Sequence, residues 1–436
     1  MHPRIPFVLF CSVVLAGAAS AQMQMSMPMS GPPQSFTQEI EAHTTSGTSA
    51  QPNSTPSPML MTMRGNWMLM LHGNAFLADI QQSSPRGGDK LFSTNWVMPM
   101  AQRQWGPGQL TLRTMLSLEP ATVTGRQYPL LFQQGETAYG LPIADGQHPH
   151  DFFMEIAALY DARLGDHSLL SFYIAPVGDP AIGPTAYPHR ESAIESPVGT
   201  LGHHQEDSTH IAADVLTLGF TDHWLRLEAG GFHGREPDEH RWQIQQGAID
   251  SWSLRLTLQP GQNWSGQYSY GHLHSPEALF PTENQDRTTA SVMYNRPGHA
   301  TTHAESPSSN WANSLVWGHT RDLPDNLVEN SYLAESTLRF RARNYAFTRF
   351  ENVARTNELL NGEKPLPPDF QETSAGRVRA YTFGYDRDLG HIPHLATALG
   401  AQVTAYTPGA ILRPIYGSDP IGVVVFLRIR PFGSTH

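Results

Sequence analysis

Cysteine is almost missing from this chain. Its single copy, Cys11, sits within the first dozen residues. A disulfide framework, a thiolate metal site and a redox pair are therefore excluded from everything downstream. Long apolar runs are missing too. After the N-terminus no stretch approaches the ~20 residues that a spanning helix needs, so a helical membrane protein is excluded. Positive charge is scarce: 28 Lys and Arg face 39 Asp and Glu, for a net charge of -11. Such a chain has no basic face for phosphates, and nucleic acid is not among its expected partners. Two catalytic signatures are also lacking, the zinc-binding HExxH and the GxSxG nucleophile elbow.

Glycine (37), proline (35) and aromatics (10%) are plentiful, a mix that suits strands and turns better than helices. The first residues read as a secretory signal over 1–21. Arg4 supplies the positive end, Phe7 to Ala16 the apolar core, and Ala19-Ser20-Ala21 the cleavage site. Residues 22–58 are rich in Met, Ser, Thr and Pro. They cannot bury an apolar core and are expected to be disordered.

From 59 to 436 the chain changes character. The run from His148 to Pro176 has a His-bearing loop, a strand-like stretch, a tight Gly165-Asp166 turn and a return strand. On the first of these strands Phe152, Met154, Ile156 and Tyr160 share one face, Glu155 and Leu159 the other. Similar runs recur to about sixteen, an even number, with apolar and polar residues alternating. Leu254, Leu256 and Leu258 oppose Ser253, Arg255 and Thr257; Val423, Val425 and Leu427 are followed by Arg428 and Arg430. Turns alternate with long connections, and only 297–309 breaks that order. The expectation is an all-β fold, a transmembrane antiparallel β-barrel of about sixteen strands in the outer membrane of a Gram-negative bacterium. Trp67, Trp96, Trp224, Trp252, Trp264 and Tyr268 would form its interfacial girdle. A soluble β-propeller or sandwich is the rival, but leucine-rich outward faces argue against it.

Chemistry-bearing residues fall into three groups. Met23, Met25, Met27 and Met29 alternate just after the cleavage site, like the thioether tracts that select Cu(I). On the first strand Met68, Met70 and His72 share the inward face, roughly 7 Å apart, with Met115 a possible neighbour. The long loops carry His148, His150, Asp151, His189, His203 and His204, imidazoles with a carboxylate that suit Cu(II) or Zn and are expected to be reachable from outside the cell. The bland alternatives are a tail without a role, flexible packing, and ordinary loop solvation. Asp207-Ser208-Thr209-His210 gathers the residue types of a hydrolase, but on a strand Asp207 would face away from Ser208 and His210.

Several segments resemble an uncharacterised family of predicted Gram-negative outer-membrane barrels, often encoded near copper-resistance systems. They include GNWMLMLHG, DGQHPHDFFMEIA, EDSTHIAADVLTLGF, FHGREPDEHRW and YGSDPIGVVVFLR, and together they span nearly the whole mature chain. The resemblance implies the barrel fold and an association with copper; it implies no catalysis. The leading expectation is therefore copper handling at the outer membrane, by binding or passage, with no required cofactor. Its partners would be outer-membrane lipid, copper ions and periplasmic copper-resistance proteins. The alternatives are a general or anion-preferring porin, with Arg113, Arg255, Arg428 and Arg430 facing the solute, and an outer-membrane hydrolase.

Overall fold

The computed structural model describes residue 33 and residues 35–298, 308–392 and 394–431. The Met23 to Met29 tract and the signal segment lie outside the described residues. Sixteen antiparallel strands follow one another around a closed barrel. The first four are β1 (Trp67–Ser83), β2 (Asp89–Trp105), β3 (Gly108–Leu116) and β4 (Phe153–Arg163). Then come β5 (Ser168–Gly178), β6 (Ala212–Asp222), β7 (Leu225–His233) and β8 (Ser251–Gly261). The second half starts with β9 (Trp264–Leu273), β10 (Asn284–Pro297), β11 (Asn310–Leu323) and β12 (Val328–Phe340). It ends with β13 (Asn344–Thr356), β14 (Ser374–Ile392), β15 (Leu395–Pro408) and β16 (Ile421–Pro431).

Closure is made by β16 on β1, from Ser83 opposite Ile421 to Ala75 opposite Ile429. At 17 residues β1 is longer than the 11-residue β16, so part of its edge remains. A short strand, Leu60–Arg64, pairs with Trp67–Leu71 and covers that remainder. No long edge is left to recruit another chain, and the ladder satisfies the backbone groups that lipid could not. Alternation sets the two faces. Leu254 is 50% exposed and Arg255 only 3%.

Connections differ at the two ends. Turns of two to four residues join strands at 106–107, 164–167, 223–224, 262–263 and 341–343. Opposite them lie 117–152, 179–211, 234–250 and 357–373. The connection 298–309 sits on the short-turn side, an exception that leaves the strand count intact.

Three expectations need correction. The first concerns residues 35–58, read from composition as disordered. Within them α1 (Phe36–Ala42) begins at Ser35, whose hydroxyl accepts the Gln38 amide, and packs Phe36 and Ile40 on Ala50 and Leu169. Beyond it the chain crosses the lumen. Arg113 donates to the carbonyls of His43, Thr45 and Gly47, Gln259 to that of Gln51, and Asn295 to that of Ser54. A segment poor in apolar residues cannot make a core of its own, but its polar groups match a polar lumen. It is a plug. The partners Gln109, Arg163, Gln259 and Asn295 stand near the short turns, while Asp179 and His189 belong to the infolded 179–211 loop, so the plug fills the lumen between that loop and the short-turn end.

The second correction concerns the histidine loops, which fold inward instead of standing in solvent. Nearly all of 179–211 is buried. Arg190 holds it in place, bonded to Asp207 at 3.1 Å and to the wall residue Glu335 at 2.8 Å. Trp96 also departs from the expected girdle, since it faces the lumen and is buried, while Trp224, Trp252, Trp264 and Tyr268 face outward.

Candidate metal centre

The inner faces of β1 and β2 run antiparallel, and their register sets Met70 opposite Met100 and His72 opposite Met98. Both pairs are buried. Met115 of β3 and Met154 of β4 join them, with Met59 and Met68 packed alongside, so seven methionines form one cluster. Such clustering exceeds what gap-filling requires, since leucine and isoleucine fill a wall as well and specify it better.

Met154 reached this cluster by a bulge. The β3–β4 register shifts between Met115 and Leu116, so that Met115 faces Glu155 and Leu116 faces Phe153. The extra residue breaks the alternation, and Met154 turns inward instead of following Ile156 and Tyr160 to the outer face.

Two imidazoles and an indole complete the arrangement. His189, from the 179–211 loop, sets Nε2 3.3 Å from Met115 Sδ. Its ring centroid lies 4.3 Å from that of Trp96, which meets His72 edge-on at 4.8 Å. The two imidazoles are 6.1 Å apart, and Nδ1 of each is buried without a hydrogen-bond partner. Burial holds His189 well below its ordinary pKa, with His72 and Arg113 adding to the effect. Thioether sulfur, neutral imidazole and a nearby aromatic face are donors suited to a soft monovalent cation such as Cu(I).

Met68, Met70, His72 and Met115 were legible as inward residues, and the structure brings all four together, with Met68 at the cluster's margin. Met98, Met100, Met154 and His189 were missed as members. Their signal was present in part, as Met-x-Met at 98–100, but pairing it with 70–72 requires the register.

The loop residues are placed otherwise. His148 and His204 each lie 3.1 Å from the same Glu136 oxygen. His150 pairs with Glu119, His203 with Asp207, and Asp151 with Arg241. Against the pull of burial, His148 and His204 hold Glu136 well below the usual carboxylate range. Among the described residues no group of three or more His, Cys, Asp or Glu could hold a metal ion. Ser208–His210 is a single 3-10 turn with Asp207 as its N-cap, and the strand begins only at Ala212. There Asp207 orients His203 through its carboxylate, while His210 Nδ1 bonds the Asp207 carbonyl.

The inward arginines are neutralised in place. Arg113 is bound by Glu155, Arg255 by Glu228, and Arg428 by Glu195, Asp386 and Asp388. Arg430 shares Glu195. They tie plug and loops to the wall and present little free charge to a solute.

A closed sixteen-strand barrel with short turns at one end and long loops at the other is the architecture of an outer-membrane porin. An anion-selective porin from Comamonas acidovorans aligns over 84% of this chain and 99% of its own, with a TM-score of 0.50 at 10% identity. Salmonella typhi OmpF aligns over 85% and 100%, with a TM-score of 0.48 at 9% identity. OmpT lacking loop L8, an outer-membrane protein of Vibrio cholerae, aligns over 83% and 99%, with a TM-score of 0.46 at 7% identity. Neither a family model nor a curated protein matches the chain. The chain has the fold of a porin, a closed sixteen-strand transmembrane β-barrel.

Proposed function

We propose that this barrel handles Cu(I) at the outer membrane, through a methionine and histidine site on the lumenal wall of β1 to β4. One observation carries the reading: a seven-methionine cluster meets two buried imidazoles, His189 at Met115 and His72 opposite Met98, whose Nδ1 atoms have no partner among the described residues. An unmet polar atom in the interior is costly, and an ion that accepts its lone pair removes that cost. Met23 to Met29 would supply a second set of thioethers. Periplasmic copper-resistance proteins remain the expected exchange partners. No hydrolytic step is proposed, because Asp207 and His210 do not form the required relay.

The test is a Cu(I) competition titration of the purified full-length protein against a chromophoric chelator. Changing Met23, Met25, Met27 and Met29 to Leu removes the tail's contribution. Adding Met98→Leu and Met115→Leu should then abolish the remaining tight Cu(I) binding. Met-to-Leu exchange in a core costs less than about 1.5 kcal/mol, so the barrel stays folded. Zn(II) should bind neither form of this site. A six-Leu protein that binds Cu(I) as well as its parent, or a deletion strain as copper-tolerant as wild type, leaves a plain pore as the function.

A further inference from the structure

The outer surface of the barrel also carries a recess. A groove of about 860 Å³ runs along the lipid-facing wall from β8 to β14. It follows two adjacent rows of the strand register. One row passes through Tyr268, Ala290, Trp317 and Tyr332. The next passes through Gly266, Val292, Leu315 and Ala334. Gly266, Ala290 and Ala334 make its floor, and the larger rings stand around them. Seven strands spaced ~4.8 Å apart give it a length of about 29 Å.

The end of this groove on β13 and β14 is charged. Arg379 lines it and is exposed, with no hydrogen-bond or ion-pair partner among the described residues. Arg377, two residues away on the same outward face, stacks on the Tyr332 ring at 5.2 Å. It donates to Asn352 Oδ1 at 2.7 Å, to the Asn352 carbonyl and to the Asn330 carbonyl at 3.2 Å. Every one of those acceptors is neutral. Two guanidinium groups thus face the membrane with no carboxylate to balance them.

Their level along the barrel is informative. Arg377, His319 and Asn330 stand one register step from the groove toward the long-loop end. Asn330 Oδ1 receives Trp317 Nε1 at 3.1 Å and lies 3.1 Å from His319 Nδ1, which fixes this polar ledge. A polar ledge above an apolar groove matches an amphiphile with its head toward the cell exterior.

We propose that this groove is a binding site for an outer-leaflet lipid whose phosphate headgroup carries a net negative charge. One acyl chain lies along the Gly266, Ala290 and Ala334 floor, and the phosphate meets Arg377 and Arg379. The site is independent of any metal in the lumen.

Native mass spectrometry of the full-length barrel, released from mixed nanodiscs, tests the assignment. The discs contain phosphatidylcholine and phosphatidylglycerol with identical chains. The parent should retain phosphatidylglycerol preferentially, and Arg379→Gln should cut that preference about fivefold, the usual strength of one basic side chain at an anionic lipid surface. Ala290→Phe, which fills the floor, should lower retention of lipid while heat-modifiable gel migration stays that of a folded barrel. Equal retention of the two lipids by the parent overturns the proposal, as does an Arg379→Gln protein with undiminished preference. If Ala290→Phe turns an oligomer into monomers and leaves lipid retention unchanged, the groove is a contact between copies and the proposal falls.

Discussion

At the scale of single residues, Arg113 carries more of the plug than any other side chain. Its guanidinium holds Glu155 through two bonds of 2.8 Å and also donates to three plug carbonyls. Removing it as Arg113→Leu leaves Glu155 buried and unpaired, which costs roughly 3–5 kcal/mol. We expect a lower unfolding midpoint and a plug open to protease. In Arg113→Leu with Glu155→Leu the midpoint should largely recover, because an apolar pair replaces the ions. The plug should stay open to protease, because its carbonyls still lack donors. Gly47 offers a gentler probe. Its φ is +57°, and an added Cβ would lie 2.6 Å from the Asp179 carbonyl oxygen. Gly47→Ala should therefore unseat the plug without touching a charge. Protection of the plug equal to the parent's in both Arg113→Leu and Gly47→Ala would show that neither contact seats it.

Among the elements, the plug is the one that should respond to pH. Burial pushes Glu39, on α1, from 4.5 up to about 8, and only the Gln51 backbone opposes it. Burial also raises Asp179, which accepts from Ser46 of the plug, from 3.8 to about 7, against Arg255 and Ser46. Both carboxyls bind protons more tightly in the docked state than in the released one. Docking is thus favoured most below the ordinary values of 3.8 and 4.5, and is weakened as pH rises through about 7 and 8. Limited proteolysis at pH 5, 7 and 9 should show increasing cleavage within 35–58. Glu39→Gln should flatten the rise; a flat profile in the parent would contradict the assignment. This element also marks how far the sequence could be read. The strands were legible because a wall between lipid and a wet lumen imposes a two-residue period, as at Leu254 and Arg255. The plug was not, since its hydrogen-bond partners lie up to 241 positions away. The metal site lies between these cases. Parity put Met68, Met70 and His72 inward, but Met154 needed a bulge and His189 needed an infolded loop.

For the whole molecule, the argument turns on which end faces out. The described barrel begins and ends on the short-turn side, at Trp67 and Pro431. Short turns are periplasmic in such barrels, so the plug closes the periplasmic mouth and the long loops face the exterior. The infolding of 179–211 changes where this can be tested. A tag after Gly199 would be hidden, because that residue is buried among Tyr128 and Tyr187. The 234–250 connection remains outside, with His240 and Trp242 exposed. An epitope placed after His240 should therefore be stained on intact cells. One placed in the turn at Gly165-Asp166 should be stained only after the membrane is permeabilised. Both proteins should fractionate with the outer membrane and migrate faster on a gel before boiling than after, as closed barrels do. The reverse staining pattern would turn the molecule over. The plug would then close the outer mouth, and the Arg377 and Arg379 ledge would face the inner leaflet.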